Sequence, residues 1–93
     1  MKLIALPRFT RALKKLHSDE KRVLDDALRR IIADPQVGEM KRGDLAGVRV
    51  YKYRDQMRLM LIAYRVAPGG ETISLFAFGS HENFYRDLKR EQA

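Results

Sequence analysis

The chain reads as a small α+β domain: an N-terminal strand and a helical hairpin packed on a twisted antiparallel β-sheet, followed by a short C-terminal helix. Three observations predict this class. Apolar pairs recur at three-to-four spacing through residues 18–34 (Val23/Leu24, Ala27/Leu28, Ile31/Ile32), the signature of an amphipathic helix. From Val48 the apolar period changes to two, as in strands. The links between the last three extended stretches are too short for a crossover, so those stretches pair antiparallel. With 93 residues the chain is expected to form a single domain over 1–93 with one modest core.

Lys2 to Leu6 reads as a first strand, ended by Pro7. A helix is expected from Pro7 to Leu16, with proline in the first turn, where its missing N–H does no harm. Phe9, Leu13 and Leu16 form its apolar stripe, and Arg8, Arg11, Lys14 and Lys15 lie mostly off it. Ser18 opens the second helix; Asp19 and Glu20 in its first turn suit the positive end of the helix dipole, and Asp34-Pro35 stops it. His17 falls between the helices as an exposed linker residue. The polar stretch from Pro35 to Ala46 reads as a loop. Val48 to Arg54 is a strand with Arg49, Tyr51 and Tyr53 on one face and Val50, Lys52 and Arg54 on the other. Asp55-Gln56 is a turn, Met57 to Arg65 the next strand, Ala67-Pro68-Gly69-Gly70 a second turn, and Thr72 to Phe78 the last strand. Only one face of this sheet is expected to need cover. The core is then Phe9, Leu13, Leu24, Leu28, Ile31, Leu59 and Leu61, and the open face carries Lys52, Arg54 and Arg58.

Composition narrows the function. An apolar fraction of 45% excludes a disordered chain. The absence of Cys rules out a disulfide framework and a thiolate nucleophile and fits a reducing compartment. Two His without Cys leave no structural zinc site, and no cofactor or metal is expected. No apolar run approaches the roughly 18 residues of a membrane span, and the apolar start is too short for a signal peptide, so the expected location is the cytoplasm. A net charge of +7 and a pI near 10.1 point to a polyanionic partner: nucleic acid, ribosome or an acidic protein. The excess sits in two blocks. Residues 1–17 hold Lys2, Arg8, Arg11, Lys14 and Lys15 and no acid, and residues 41–65 hold Lys41, Arg42, Arg49, Lys52, Arg54, Arg58 and Arg65 against Asp44 and Asp55.

The chemistry concentrates after the last strand. In Gly79-Ser80-His81-Glu82-Asn83-Phe84-Tyr85, Gly79 breaks the strand and Ser80 is placed to cap the next turn. His81 and Tyr85 stand four residues apart, on one face if the stretch is helical. An imidazole titrates near neutrality and serves as acid or base; Arg58 offers a planar fork for phosphate oxygens.

The order strand, helix, helix, basic strand, basic strand, strand, short helix resembles that of the RelE/ParE toxin superfamily. Leu45 to Arg54, Met57-Arg58-Leu59 and Ala63-Tyr64-Arg65-Val66 are similar to the family's central hairpin, and Gly79 to Arg90 is similar to the ending of its RelE-type members. The resemblance implies a RelE-like fold and a type II toxin: a ribosome-dependent endoribonuclease that cleaves mRNA without metal, by attack of the ribose 2′-hydroxyl, and that is held inactive by a cognate antitoxin. It implies catalytic roles for His81, Arg58, Tyr85 and Lys52. Val50 stands where a second lysine often occurs. The phosphate-binding surface is then expected from Arg54, Arg49, Lys41, Arg42, Lys14 and Lys15. The family also contains ParE-type toxins that poison DNA gyrase and lack the nuclease residues. A member that only binds its antitoxin is a third possibility.

Overall fold

The computed structural model of the protein describes residues 2–81 and residue 84. The expected C-terminal helix and Tyr85 lie outside the described residues. The elements in chain order are β1 (Lys2–Ala5), α1 (Pro7–Leu13), α2 (Ser18–Ala33), β2 (Glu39–Met40), a 3-10 turn at Gly43–Leu45, β3 (Arg49–Asp55), β4 (Arg58–Val66) and β5 (Thr72–Ser80). Helix α1 ends at Leu13, short of the Leu16 that its apolar stripe predicts. Helix α2 starts and stops as read: the Glu20 carboxylate turns back to accept the His17 N–H at 2.9 Å, and Asp34 closes the other end on the Arg30 carbonyl at 3.0 Å.

The five strands form one sheet in the order β1-β5-β4-β3-β2. The meander β3-β4-β5 is antiparallel, as its short turns require. The sheet as a whole is mixed, because β1 lies parallel to β5, with Lys2 opposite Thr72 and Ala5 opposite Leu75. That contact joins the two ends of the described chain, so no local turn could announce it. Within the stretch read as a loop, Glu39 and Met40 add a short edge strand to β3 opposite Val50 and Arg49.

The expectation of a single covered face is corrected. Every residue from Met60 to Tyr64 is buried, so β4 is sealed on both sides. The two helices cover one face, where Phe9, Leu24, Ala27 and Ile31 pack on Ile62, Tyr64, Ile73 and Leu75. A smaller cluster covers the other, where Leu45, Val48 and Phe84 close over Val50, Leu61, Ala63 and Ala77. Leu61 therefore belongs to the second cluster and not to the helix-side core expected for it. Directly opposed residues share a face, so the register assigns the rest. Arg49, Tyr51, Tyr53 and Asp55 stand opposite Tyr64, Ile62, Met60 and Arg58, all on the helix face. Val50, Lys52 and Arg54 stand opposite Ala63, Leu61 and Leu59 on the second face. Arg58 is thus separated from Lys52 and Arg54 by the thickness of the sheet. Alternation within each strand is a local property, but the phase between strands depends on the turn.

Tyr64 anchors the turn that follows α2. Its hydroxyl donates to the Pro35 carbonyl at 2.7 Å and accepts the buried Gly38 N–H at 2.8 Å. A Cβ on Gly38 would stand 2.6 Å from that oxygen, so the close approach requires glycine.

Candidate nucleic-acid interface

The second face is divided along its length. Toward one end the loop through Leu45 and Val48, with Phe84, covers it; toward the β3-β4 hairpin it is open and basic. Lys52, Leu61 and Gly79 form one row across β3, β4 and β5. Strands about 4.8 Å apart put the ends of such a row roughly 10 Å from each other. In the next row Arg54 faces Leu59, and His81 follows β5 directly. Lys52, Arg54 and His81 are exposed, whereas Leu61 is buried beneath them. A Cβ built on Gly79 meets nothing within 4 Å, which leaves the floor beside His81 open.

Two of the other expected phosphate contacts extend this surface. Lys41 bonds the Val48 carbonyl through its N–H at 2.9 Å, and its ammonium donates to the Glu39 carboxylate at 2.9 Å. That hydrogen bond, with the Lys41 charge and a smaller contribution from Lys52, holds the Glu39 carboxyl below the usual carboxylate range. Glu39, Lys41 and Lys52 therefore sit within electrostatic reach of one another. Arg42 is exposed in the same connection.

The remaining expected residues fall elsewhere. Arg49 is half-buried on the helix face and donates to the carbonyls of Gly38 (2.8 Å) and Gln36 (3.3 Å), bracing the turn that Tyr64 anchors. Arg58 contacts the Glu20 carboxylate through Nη2 at 3.4 Å. It lines a hollow of about 420 Å³ with His17, Asp19, Glu20, Asp55 and Gln56, an acidic setting unlike the basic one expected. Lys14 lines a shallow hollow with Thr10, Leu13, Lys21 and Asp25. Lys15 joins Arg8 and Arg11 in a cleft beside Ala77 to Ser80. Sequence reasoning counted Arg8 and Arg11 as basic but did not place them at a site; the spacing Arg8, Arg11, Lys15 along one helical stripe was the available signal.

Two helices packed on a mixed five-stranded sheet are the fold of the RelE/ParE class of small toxins. Over residues 3–89 the chain matches the family model of the ParE-like toxin of type II bacterial toxin-antitoxin system, and it belongs to that family. Solved structures agree in fold. A chain of the intact E. coli RelBE toxin-antitoxin complex superposes with a TM-score of 0.70 at 18% identity, covering 87% of this chain and 96% of its own. The toxin-antitoxin complex RelBE2 from Mycobacterium tuberculosis gives 0.71 at 20% identity, covering 86% and 96%. The YoeB/ParE toxin from Agrobacterium tumefaciens gives 0.67 at 20%, covering 87% and 99%. No curated protein sequence is significantly similar to the chain. No helix among the described residues is long and apolar enough to cross a membrane.

Proposed function

We propose that this toxin is a ribosome-dependent mRNA endonuclease of the cytoplasm, held inactive by a cognate antitoxin, and that its working surface is the basic end of the second face. The observation that supports the reading is that Lys52 and Arg54 stand exposed on the face that carries the open floor at Gly79, one strand end away from His81, with Lys41 within electrostatic reach of Lys52. The partners on this reading are mRNA, the ribosomal RNA that presents it, and the antitoxin.

Cleavage by the ribose 2′-hydroxyl needs three things. A base takes the proton of that hydroxyl as its oxygen bonds to phosphorus. Cations hold the charge that builds on the two non-bridging oxygens. An acid then protonates the 5′-oxygen as the P–O bond breaks, leaving a cyclic phosphate. His81 is suited to proton transfer, and Lys52 and Arg54 supply fixed positive charge at the phosphate. Lys41 and Arg42 lie where the flanking backbone would run. Tyr85 would stack on a base or pass a proton. Arg58 stands on the other face against Glu20 and takes no part in this arrangement.

A second reading, inhibition of DNA gyrase by binding alone, is favoured by that displacement: Arg58, expected to catalyse, does not share the face of Lys52. One experiment separates the two. In a purified translation system the protein is expected to stop synthesis and leave cut mRNA on the ribosome, with no effect on gyrase supercoiling. Blocked supercoiling with intact mRNA would establish the second reading instead.

A further inference from the structure

We propose that the hollow between α2 and the open edge of β3 is a nucleobase subsite, which holds one unpaired base of the bound RNA while Lys52 and Arg54 hold its phosphates. The proposal deepens the proposed function and rests on RNA being the ligand; it does not require that the RNA be cut.

Strand β2 covers the outer edge of β3 only at Arg49 and Val50, opposite Met40 and Glu39. Beyond Val50 that edge has no strand among the described residues. The Lys41 N–H donates to the Val48 carbonyl at 2.9 Å, so Val48 turns its main-chain polar groups toward β2. In an antiparallel ladder every second residue points the same way. Lys52 and Arg54 therefore aim their N–H and C=O groups out of the sheet, while Tyr51 and Tyr53 aim theirs at Ile62 and Met60 of β4. Beside this edge lies a hollow of about 520 Å³, with Val23, Asp26, Ala27 and Arg30 of α2 on one side and residues 51–54 on the other. Small-molecule sites run from roughly 300 to 1,000 Å³. Val23 and Ala27 give the hollow an apolar floor, and Asp26, Arg30, Lys52 and Arg54 are exposed around it.

The chemistry of this edge selects the occupant. The Watson–Crick edge of a base carries a donor beside an acceptor. On an open strand edge the C=O of one residue and the N–H of the residue two further on stand side by side as the complement. The Lys52 carbonyl is thus set to accept from the exocyclic amine of an adenine, and the Arg54 N–H to donate to its ring nitrogen. A base paired in a duplex has that edge occupied, so the subsite selects a single strand. A phosphate would leave the Lys52 carbonyl unmatched and is repelled by the Asp26 carboxylate. The base therefore enters, and the phosphates stay outside, toward the Lys52 and Arg54 side chains on the second face. Arg30 offers a guanidinium plane for the base to stack on, and Asp26 an acceptor for a ribose hydroxyl.

The test uses the full-length toxin and fluorescein-labelled pentaadenylate, against the same strand with every exocyclic amine dimethylated, which keeps charge and stacking but cannot donate. The wild type is expected to bind the unmodified strand at least about fivefold tighter. Arg54→Ala removes a cation alone and should weaken both strands while keeping the preference. Arg54→Pro also removes the outward N–H, at an edge position where proline is tolerated, and should abolish the preference. Thermal unfolding checks that this variant folds. In the wild type, pentaadenylate should also slow hydrogen exchange of the Arg54 amide, a reading that needs no variant. Equal affinity for the two strands, a folded Arg54→Pro that keeps the preference, or unchanged exchange at Arg54 would overturn the proposal. So would protection of that amide by AMP at the concentration at which the strand protects it, by an acidic peptide, or by rising concentration of the toxin alone. These outcomes would give the hollow to a free nucleotide, a polypeptide or a second copy. A toxin that shows the preference but cuts no mRNA would leave the subsite standing and remove the nuclease reading; one that cuts mRNA without the preference would do the reverse.

Discussion

At the residue scale, Tyr64 shows how one polar atom organises a connection. Its hydroxyl is the partner of both the Gly38 N–H and the Pro35 carbonyl, so Tyr64→Phe leaves a buried N–H without an acceptor. Such a group costs about 1–3 kcal/mol. For a domain of this size that corresponds to a fall in Tm of about 4–8 °C per kcal/mol, measurable by calorimetry. The phenols also set an alkaline limit. Burial raises the Tyr64 pKa, and burial with the Asp55 charge pushes Tyr53 up to about 12 from 10.0. A folded-state pKa above the unfolded one means that stability is complete below pH 10 and is lost as pH rises through 12. Denaturant midpoints are expected to hold to pH 10 and fall toward pH 12, and Tyr53→Phe should flatten that decline. A wild-type midpoint that stayed constant over the window would show that these phenols do not control it.

At the element scale, the β3-β4 hairpin decides which residues meet. Gln56 holds a φ of +59° at its tip, a conformation that costs a side-chain-bearing residue about 1–2 kcal/mol. Gln56→Gly should therefore raise stability by about 0.5–1 kcal/mol, read as a higher denaturant midpoint, without altering the strand register.

This same turn marks the border of what the residues announce. Helix α2, the meander and its links were legible because amphipathic period, turn residues and loop length are local properties. The relation of Arg58 to Lys52 was not, since it depends on how two strands meet across Gln56 and Met57. The buried run from Met60 to Tyr64 did carry a signal: five consecutive apolar residues in a strand imply cover on both faces. Reading them as simple alternation placed Leu61 with the helices. Of the candidate surface, the shared face of Lys52 and Arg54 was readable from the strand period; the place of Lys41 beside Lys52 was not, since the short strand Glu39–Met40 lies in a stretch that reads as a loop. The cleft of Arg8, Arg11 and Lys15 needed the position of β5, which no short stretch of sequence specifies.

At the scale of the whole molecule, the charge of +7 is spread unevenly: Lys52 and Arg54 stand on the second face, and Arg8, Arg11 and Lys15 line the cleft between α1 and β5. If RNA is held mainly by Lys41, Lys52 and Arg54, binding of single-stranded RNA should weaken with salt at a log–log slope of about −2, each phosphate contact contributing about −0.7. Lys52→Ala should make the slope shallower by about 0.7, as measured by fluorescence anisotropy. A slope near zero would remove electrostatics as the basis of RNA recognition.

On the proposed assignment the second face, and not the hairpin edge at Arg58, does the cutting. The decisive comparison is of mRNA cleavage rates on programmed ribosomes for wild type, Lys52→Ala, His81→Ala and Arg58→Ala, with thermal unfolding as the control for folding. His81→Ala is expected to lower the rate by about 100- to 10,000-fold and Lys52→Ala by about 100-fold or more. Arg58→Ala should lose only an exposed ion pair with Glu20, worth about 0–1 kcal/mol of stability, and keep its rate within a few-fold of wild type. A normally folded His81→Ala that cuts at the wild-type rate, or an Arg58→Ala that loses about 100-fold, would contradict the assignment.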